Sequence, residues 1–443
     1  MTTIQARFAA LIQRLRSGSF LGNVLILAGG TGLAQLIVVL FTPILTRLYT
    51  PAEFGVLTVF ISALGLMIVI AALRYEIAIP LPESDSLAIN LTALSGLIVL
   101  GMSALSGVIV FLFGADLARR FSSPQLAPYL WLFPVGMLTG GVFQTLSYWH
   151  IRERQFKRLT QAKVGQSVSL VGGQLFMGLA RLGAVGLVGG YVLGRLVAGG
   201  LLAYSLVKSS RALFSEISFS NISHAASRYR RFPLISSWSA LLNQGGLQAA
   251  PLLFAAFFGA QVAGWFGLAQ RVAGIPLMLI GRSVSQVYLG EASRLRNEDP
   301  AAMQRLFLDS ARKLFFYVGV PLVLLGLTAP WVFGFIFGEK WRTSGWYIVA
   351  LLPMFLGQIV VFPLSQTLNI LEKQALQLVW DVARVSTVVA VILGAYFVFH
   401  LATLPTLALY GGAMFVMYAV LFAMMWWQLR ILALSSPGDV SIE

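Results

Sequence analysis

Long apolar runs broken by short polar stretches repeat along the whole 443-residue chain. A helix needs about 20 residues to cross a hydrocarbon core. Runs meeting that length lie near 21–46, 54–74, 87–114, 127–149, 160–181, 185–207, 234–258, 262–286, 314–337, 345–371, 374–399 and 403–429. The pattern predicts an all-α polytopic membrane protein of about twelve transmembrane helices. The first twenty residues read differently. Ile4, Phe8, Leu11, Ile12 and Leu15 recur at helical spacing with Arg7, Arg14 and Arg16 beside them, which predicts an amphipathic helix on the cytoplasmic face. A cleaved signal peptide fits poorly, because the following apolar run continues without a small-residue cleavage pattern.

The longest polar interruption, 208–233, divides the helices six and six. The expected organisation is a terminal amphipathic helix (1–20), an N-lobe (21–207), a cytoplasmic linker (208–233), a C-lobe (234–431) and a cytoplasmic tail (432–443). An even number of helices per half returns the chain to its starting side, so any repeat is parallel, about an axis along the membrane normal. The sequence echo of such a repeat is faint: Tyr49 to Gly55 enters the second run, and Ala260 to Gly267 enters the eighth at the corresponding place.

Charge placement orients the chain. With the N-terminus inside, the inner segments collect twenty-one Lys and Arg and the outer segments six, the other four being intramembrane. Both termini are therefore expected in the cytoplasm. Composition agrees with a membrane protein: 58% of residues are hydrophobic and 11% charged, where a soluble domain carries about 25% charged residues. The net charge of +15 is expected to face anionic lipid rather than nucleic acid, since no nucleic-acid-binding module is present. Zero cysteines excludes disulfides, thiolate catalysis and cysteine-ligated metals.

Arginine stands out inside the runs. Arg195, Arg271, Arg282 and Arg384 lie within them, Arg47 and Arg74 at the ends of two, and Asp381 is the clear acidic exception. A guanidinium stays charged at physiological pH, so each must snorkel, pair or face water. On an unbroken helix Arg271 and Arg282 stand about 20° apart around the axis and about 16 Å along it, with Gln286 one turn further. Such a stripe serves either as handholds for an anion or as a snorkelling residue beside a locally paired one. Asn243, Gln244 and Gln248, and the series Thr31, Gln35 and Thr42, either bond neighbouring helices or line a wet cavity. Gly29 to Gly32 and Gly245-Gly246 either loosen their helices or allow close packing. Arg74 with Glu76, and Asp381 with Arg384, are spaced to pair locally; Asp381 and Glu76 are also the candidates for ion coupling. Arg195, beside Gly194 and Gly199-Gly200, invites a close backbone approach. Trp331, Trp341, Trp346 and Trp426-Trp427 read as an interfacial belt.

No catalytic residues are expected. His150, His224 and His400 are scattered without metal spacing, so no metal is expected. The glycine clusters fall inside apolar helices rather than at strand-to-helix turns, and there is no Walker sequence, so no cofactor is expected.

Two stretches carry a family resemblance: Leu45-Thr46-Arg47-Leu48-Tyr49-Thr50-Pro51-Ala52-Glu53-Phe54-Gly55, and Leu73-Arg74-Tyr75-Glu76-Ile77-Ala78-Ile79-Pro80-Leu81-Pro82. With Ala269-Gln270-Arg271, Pro276 and Ser285-Gln286-Val287, the chain resembles the polysaccharide-biosynthesis, O-antigen flippase-like family of the multidrug/oligosaccharidyl-lipid/polysaccharide (MOP) exporter superfamily. The resemblance implies two six-helix lobes around a central cavity and a non-enzymatic flippase of the bacterial inner membrane. Its cargo would be a polyprenyl-pyrophosphate-linked oligosaccharide used in O-antigen, lipopolysaccharide or related polysaccharide assembly, moved to the periplasmic leaflet by alternating access. It also implies a monomer, working beside other polysaccharide assembly proteins. Arg47, Arg74, Arg271 and Arg282 become candidates to hold the pyrophosphate, because guanidinium makes paired charge-assisted bonds to phosphate oxygens. Two other readings compete. A cation-coupled multidrug exporter of the same superfamily typically needs an N-lobe carboxylate, and the chain has no acidic residue from Met1 to Pro51. A membrane polymerase or ligase usually carries a sizeable outer loop, and the longest here is about 115–126.

Overall fold

The computed structural model of the chain describes residues 20–120 and 124–435. The amphipathic segment expected at the N-terminus, apart from its last residue, and the end of the tail lie outside them. All twelve predicted runs fall on helix. Among the described residues ten helical stretches are long and apolar enough to cross a membrane. Helices α4 (Leu132–Arg152) and α5 (Phe156–Leu179) cover the fourth and fifth runs but stand outside that set. Both are diluted by polar residues: Gln144, Ser147 and His150 in one, Lys157, Arg158, Lys163 and Gln174 in the other.

The chain divides into two compact units, residues 1–244 and 245–443. The first holds α1 (Phe20–Leu48), α2 (Pro51–Ala71), α3 (Asp85–Arg120), α4, α5, α6 (Ala184–Ser209) and the short α7 (Phe219–Arg228). The sharp break between α1 and α2 has a local cause. Thr50 caps α2, Glu53 reaches back to the Thr50 backbone N–H at 2.6 Å, and Pro51 takes the first turn, where no N–H is needed. Tyr49, just before the cap, is buried and donates its hydroxyl to Gln174 O at 2.6 Å.

Small residues bring the helices of this unit together. A Cβ on Gly173 would stand 3.2 Å from Gly190 Cα, and one on Gly194 would stand 2.7 Å from Gln166 O. A Cβ on Gly30 would run into the Thr160 side chain, whereas Gly29 and Gly32 face open space. Of the two roles open to the Gly29–Gly32 cluster, close packing is the one the contacts support. The stretch 208–233 is not loose either. Asn90, fully buried, donates to Glu216 O at 3.0 Å and accepts from Ser218 N at 3.1 Å, while the Tyr75 hydroxyl donates to Ala226 O at 3.0 Å. Ala225 of α7 enters the same apolar core as Ala78, Ile89, Trp149 and Leu159. At the end of α4, Arg152 forms an ion pair to Asp85 of α3 at 2.7 Å.

The boundary between the units falls within α8 (Ser237–Phe258). Beyond it come α9 (Ala260–Ala269), α10 (Ile275–Glu298), α11 (Pro300–Leu314), α12 (Val320–Leu327), α13 (Ala329–Phe337), α14 (Arg342–Val361), α15 (Gln366–Ile370), α16 (Gln374–Leu393) and α17 (Thr403–Ser435). Helix α14 is the centre of this unit. A Cβ on Gly345 would meet the Ala329–Pro330 backbone at 2.5 Å, and one on Gly357 would meet the Tyr418 ring at 3.1 Å.

Single π turns lead into α8 at Phe232–Ser236, join α9 to α10 at Gln270–Gly274 and α11 to α12 at Phe315–Gly319, and end α16 at Gly394–Val398. Two share a sequence cause. Gly274-Ile275-Pro276 and Gly319-Val320-Pro321 each place proline two residues beyond the turn. Proline offers no N–H to the carbonyl four residues back, Val272 in one case and Tyr317 in the other, so the α ladder slips there to the wider π spacing. The tryptophans divide. Trp331, Trp346 and Trp427 are exposed at 60%, 44% and 60%, as an interfacial belt requires, but Trp341 is fully buried and belongs to the core.

Candidate functional site

The π turn at Gln270–Gly274 changes the reading of the arginine stripe. Arg271 sits inside that turn, α10 begins only at Ile275, and Arg282 follows on α10. A π turn advances each residue by a smaller angle than an α turn, so arithmetic for an unbroken helix does not carry from Arg271 to Arg282. Arg271 is half-buried, whereas Arg282 and Gln286 are exposed. The Gln270 side chain lies over Gly274, its Oε1 2.7 Å from where a Gly274 Cβ would stand. Arg282 and Gln286 form no side-chain hydrogen bond or ion pair among the described residues, and the same holds for Gln35, Asn243, Gln244, Gln248 and Arg47. Gln35, Gln244 and Gln248 are half-buried, Asn243 and Arg47 exposed. Thr31 and Thr42, by contrast, donate back to their own helix at Leu27 O and Val38 O, both at 2.7 Å, and Thr31 also accepts from Lys163 Nζ of α5 at 3.0 Å.

In the first unit a charged cluster closes the end of α2. After Ala71 the chain turns through Leu73 and Arg74, both left-handed at φ 48° and 66°, into a one-turn 3₁₀ helix, Tyr75–Ala78. That strained turn tucks Glu76 inward, where it is 1% exposed. Gln144 Nε2 of α4 donates to Glu76 Oε1 at 2.8 Å, and an Arg74 Nη1 stands 3.7 Å from the same oxygen. Glu76 Oε2 and Arg74 Nε are buried without a hydrogen-bond partner. Burial raises the Glu76 carboxyl above the usual carboxylate range, outweighing the backbone hydrogen bond, Arg74 and Gln144, which all favour the anion. A buried acid with one amide donor and a distant guanidinium is suited to taking up a proton.

The remaining intramembrane arginines are held locally. Arg384 pairs with Asp381 at 3.2 Å and lies over the Trp380 ring at 5.1 Å; Gln377 also donates to Asp381 at 3.4 Å. Gly246 packs on this group, its absent Cβ leaving 2.6 Å to Val385 Cγ2 and 3.3 Å to an Arg384 nitrogen. Arg195 is not satisfied by the glycine backbone, as its neighbours suggested. It donates to the Tyr191 hydroxyl at 2.6 Å, one turn earlier, and fits because Gly140 has no side chain to block it. Gln144 and Tyr191 escaped the sequence reading. Gln144 lies 68 residues from its carboxylate, a separation that carries no local signal, whereas the i, i+4 spacing of Tyr191 and Arg195 was visible. No group of three or more His, Asp and Glu suited to a metal occurs among the described residues.

Several solved structures share this architecture. An inward-facing multidrug resistance MATE family transporter of the MOP superfamily superimposes with a TM-score of 0.71 at 16% identity, covering 92% of this chain and 96% of that one. The lipid II flippase MurJ, in an inward closed conformation, gives 0.67 at 12% identity, with 94% and 90% covered. A Vibrio cholerae MATE transporter, VcmN, gives 0.58 at 14% identity, with 97% and 98% covered. At these identities the likeness establishes the fold: an all-helical, multi-pass membrane protein of MOP transporter type. No curated protein sequence matches the chain. A family model described as "polysaccharide biosynthesis protein" matches residues 44–345. The chain belongs to that family.

Proposed function

We propose that this protein is a flippase for a polyprenyl-pyrophosphate-linked oligosaccharide. It carries the saccharide head group from the cytoplasmic to the periplasmic leaflet of a bacterial inner membrane by alternating access. The cargo is a polysaccharide repeat unit such as an O-antigen unit of lipopolysaccharide. The observation that carries the reading is Arg271: a permanent cation, half-buried in the π turn between the apolar α9 and α10, in a member of a polysaccharide biosynthesis family. An ionisable residue at such a place marks a substrate or ion path, and π turns recur at functional sites. Arg282 and Gln286 on α10 and Arg47 and Arg74 in the first unit are the further phosphate-binding candidates. The amides Asn243, Gln244, Gln248 and Gln35 are the candidates for hydroxyl recognition.

In this scheme residues 21–207 and 234–431 are the moving lobes and 208–233 joins them, with both termini cytoplasmic by the Lys and Arg distribution. The chain acts as a monomer without cofactor, among other polysaccharide assembly proteins and without nucleic acid. Glu76 is the preferred ion-coupling group, because Asp381 is already committed to Arg384.

The test is depletion of the protein in its host with complementation by Arg271→Glu and Arg282→Glu. The wild type clears lipid-linked oligosaccharide from the inner leaflet and the charge-reversed variants leave it there. Full transport by both variants, or no accumulation on depletion, ends the proposal. One observation favours a second reading, a cation-coupled drug exporter: Glu76 is a buried carboxylate in the first unit, where such exporters need one. Raised resistance to cationic dyes on expression would select that reading.

A further inference from the structure

One cleft in the second unit has no part in the transport proposal. It measures about 540 Å³ and runs between α11, the Phe315–Gly319 π turn, α14 and α17. Phe315, Phe316, Phe415 and Phe422 form its walls, and Arg312 is the one polar side chain lining it. A second cleft of about 180 Å³ continues it past Phe315 and Leu356 to Leu324. The groove exists because of the local backbone. The π turn swings Phe315 and Phe316 outward, to 40% and 59% exposure, and Leu356, Val360 and Val361 of α14 line the groove beneath them.

Its chemistry is two-ended. Arg312 is exposed and forms no ion pair among the described residues; Asp309, one turn earlier on α11, is exposed and also unpaired, and Lys313 is adjacent. From Arg312 the apolar track extends twelve residues to Leu324, at most about 18 Å at ~1.5 Å per α-helical residue, the π turn shortening it slightly. That is close to one leaflet of a hydrocarbon core about 30 Å thick. A cation at one end of an apolar channel one leaflet long matches the shape and charge of a membrane phospholipid. A polyprenyl chain far exceeds that length.

We propose that this groove binds one anionic phospholipid of the surrounding bilayer, its phosphate on Arg312 and an acyl chain along the track to Leu324. Guanidinium gives the phosphate paired charge-assisted bonds, and basic pockets between transmembrane helices select anionic headgroups. The site is independent of the flippase reading.

The test uses the full chain, purified in detergent, delipidated and titrated with dioleoyl-phosphatidylglycerol or dioleoyl-phosphatidylcholine, with bound lipid counted by native mass spectrometry. One phosphatidylglycerol is retained, preferred over phosphatidylcholine by about five-fold or more, the selectivity of a single basic residue near the headgroup. Arg312→Ala abolishes the preference, Arg312→Lys keeps most of it, and Ala419→Phe, a substitution at an exposed lining position, lowers retention of both lipids. Thermal melting confirms that each variant is folded. An undiminished preference in Arg312→Ala, unchanged retention in Ala419→Phe, or displacement of phosphatidylglycerol by an equimolar polyprenyl phosphate would each overturn the proposal.

Discussion

Gln144 Nε2 donates to Glu76 Oε1 at 2.8 Å, so an amide on α4 is the hydrogen-bond partner of a carboxyl group 1% exposed at the end of α2. The other carboxyl oxygen has no partner. An ionised carboxylate is costly in such a place, and a protonated one is far less so.

This arrangement predicts a pH dependence of stability with a definite sign. Burial raises the Glu76 carboxyl, so the folded protein holds the proton more tightly than the unfolded chain does. Stability contributed by this group is greatest below the unfolded value near 4.5 and is lost as pH rises through the elevated folded value. Glu76→Gln keeps the Gln144 neighbour and removes the titration. Melting in detergent from about pH 4 to pH 8 is expected to show the wild type falling relative to Glu76→Gln as pH increases. A variant that melts well below wild type at the alkaline end would mean that the ionised pair with Arg74 is the stable form.

The cluster shows what the sequence makes legible. Leu73-Arg74-Tyr75-Glu76 announced a local pair, because both charges lie within two residues of one another. The inward turn of Glu76 depends on two left-handed residues, Leu73 and Arg74, and neither is the glycine that usually marks one. The partner Gln144 comes from another helix altogether. Helix existence was legible throughout because apolar runs of membrane length leave little choice of structure. The π turn at Arg271 was encoded in Gly274-Ile275-Pro276, yet counting residues at 100° each passed over it. Trp341 misled for a related reason: its position beside a polar loop matched a belt, and only tertiary packing buries it.

The α1–α2 break is expected to depend on its cap. Thr50→Ala removes the acceptor for the Glu53 N–H and half of the capping box, a loss of about 1 kcal/mol. Glu53→Gln retains an acceptor for the Thr50 N–H but loses the charge at the helix start, and is expected to cost less. Denaturation midpoints of the two variants order them, and equal losses would show that the carboxylate charge matters as much as the cap.

Gly245 and Gly246, adjacent on α8, are expected to respond in opposite directions to alanine. Nothing lies within 4 Å of a Cβ on Gly245, so Gly245→Ala gains helix propensity of about 0.5–1 kcal/mol. A Cβ on Gly246 meets Val385 at 2.6 Å and approaches Arg384, so Gly246→Ala overpacks that contact at a cost of about 1–3 kcal/mol. Thermal melting gives the stability order and a flipping assay gives the function. Loss of transport in a stabilised Gly245→Ala would establish that this helix must bend to work.

Asp381 and Arg384 offer the sharpest separation of a structural from a coupling role. Their ion pair at 3.2 Å is only partly exposed, and Arg384 is further held against Trp380. Removing either partner leaves the other charge half-buried and uncompensated, whereas removing both relieves that penalty. The losses of Asp381→Asn and Arg384→Gln are therefore expected to sum to more than the loss of the double variant, with a coupling of about 0.5–3 kcal/mol. A purely structural pair has a second consequence: the double variant recovers transport along with stability. If instead stability returns in the double variant while transport stays lost with every Asp381 substitution, Asp381 rather than Glu76 carries the ion, and the assignment of coupling moves to the second unit.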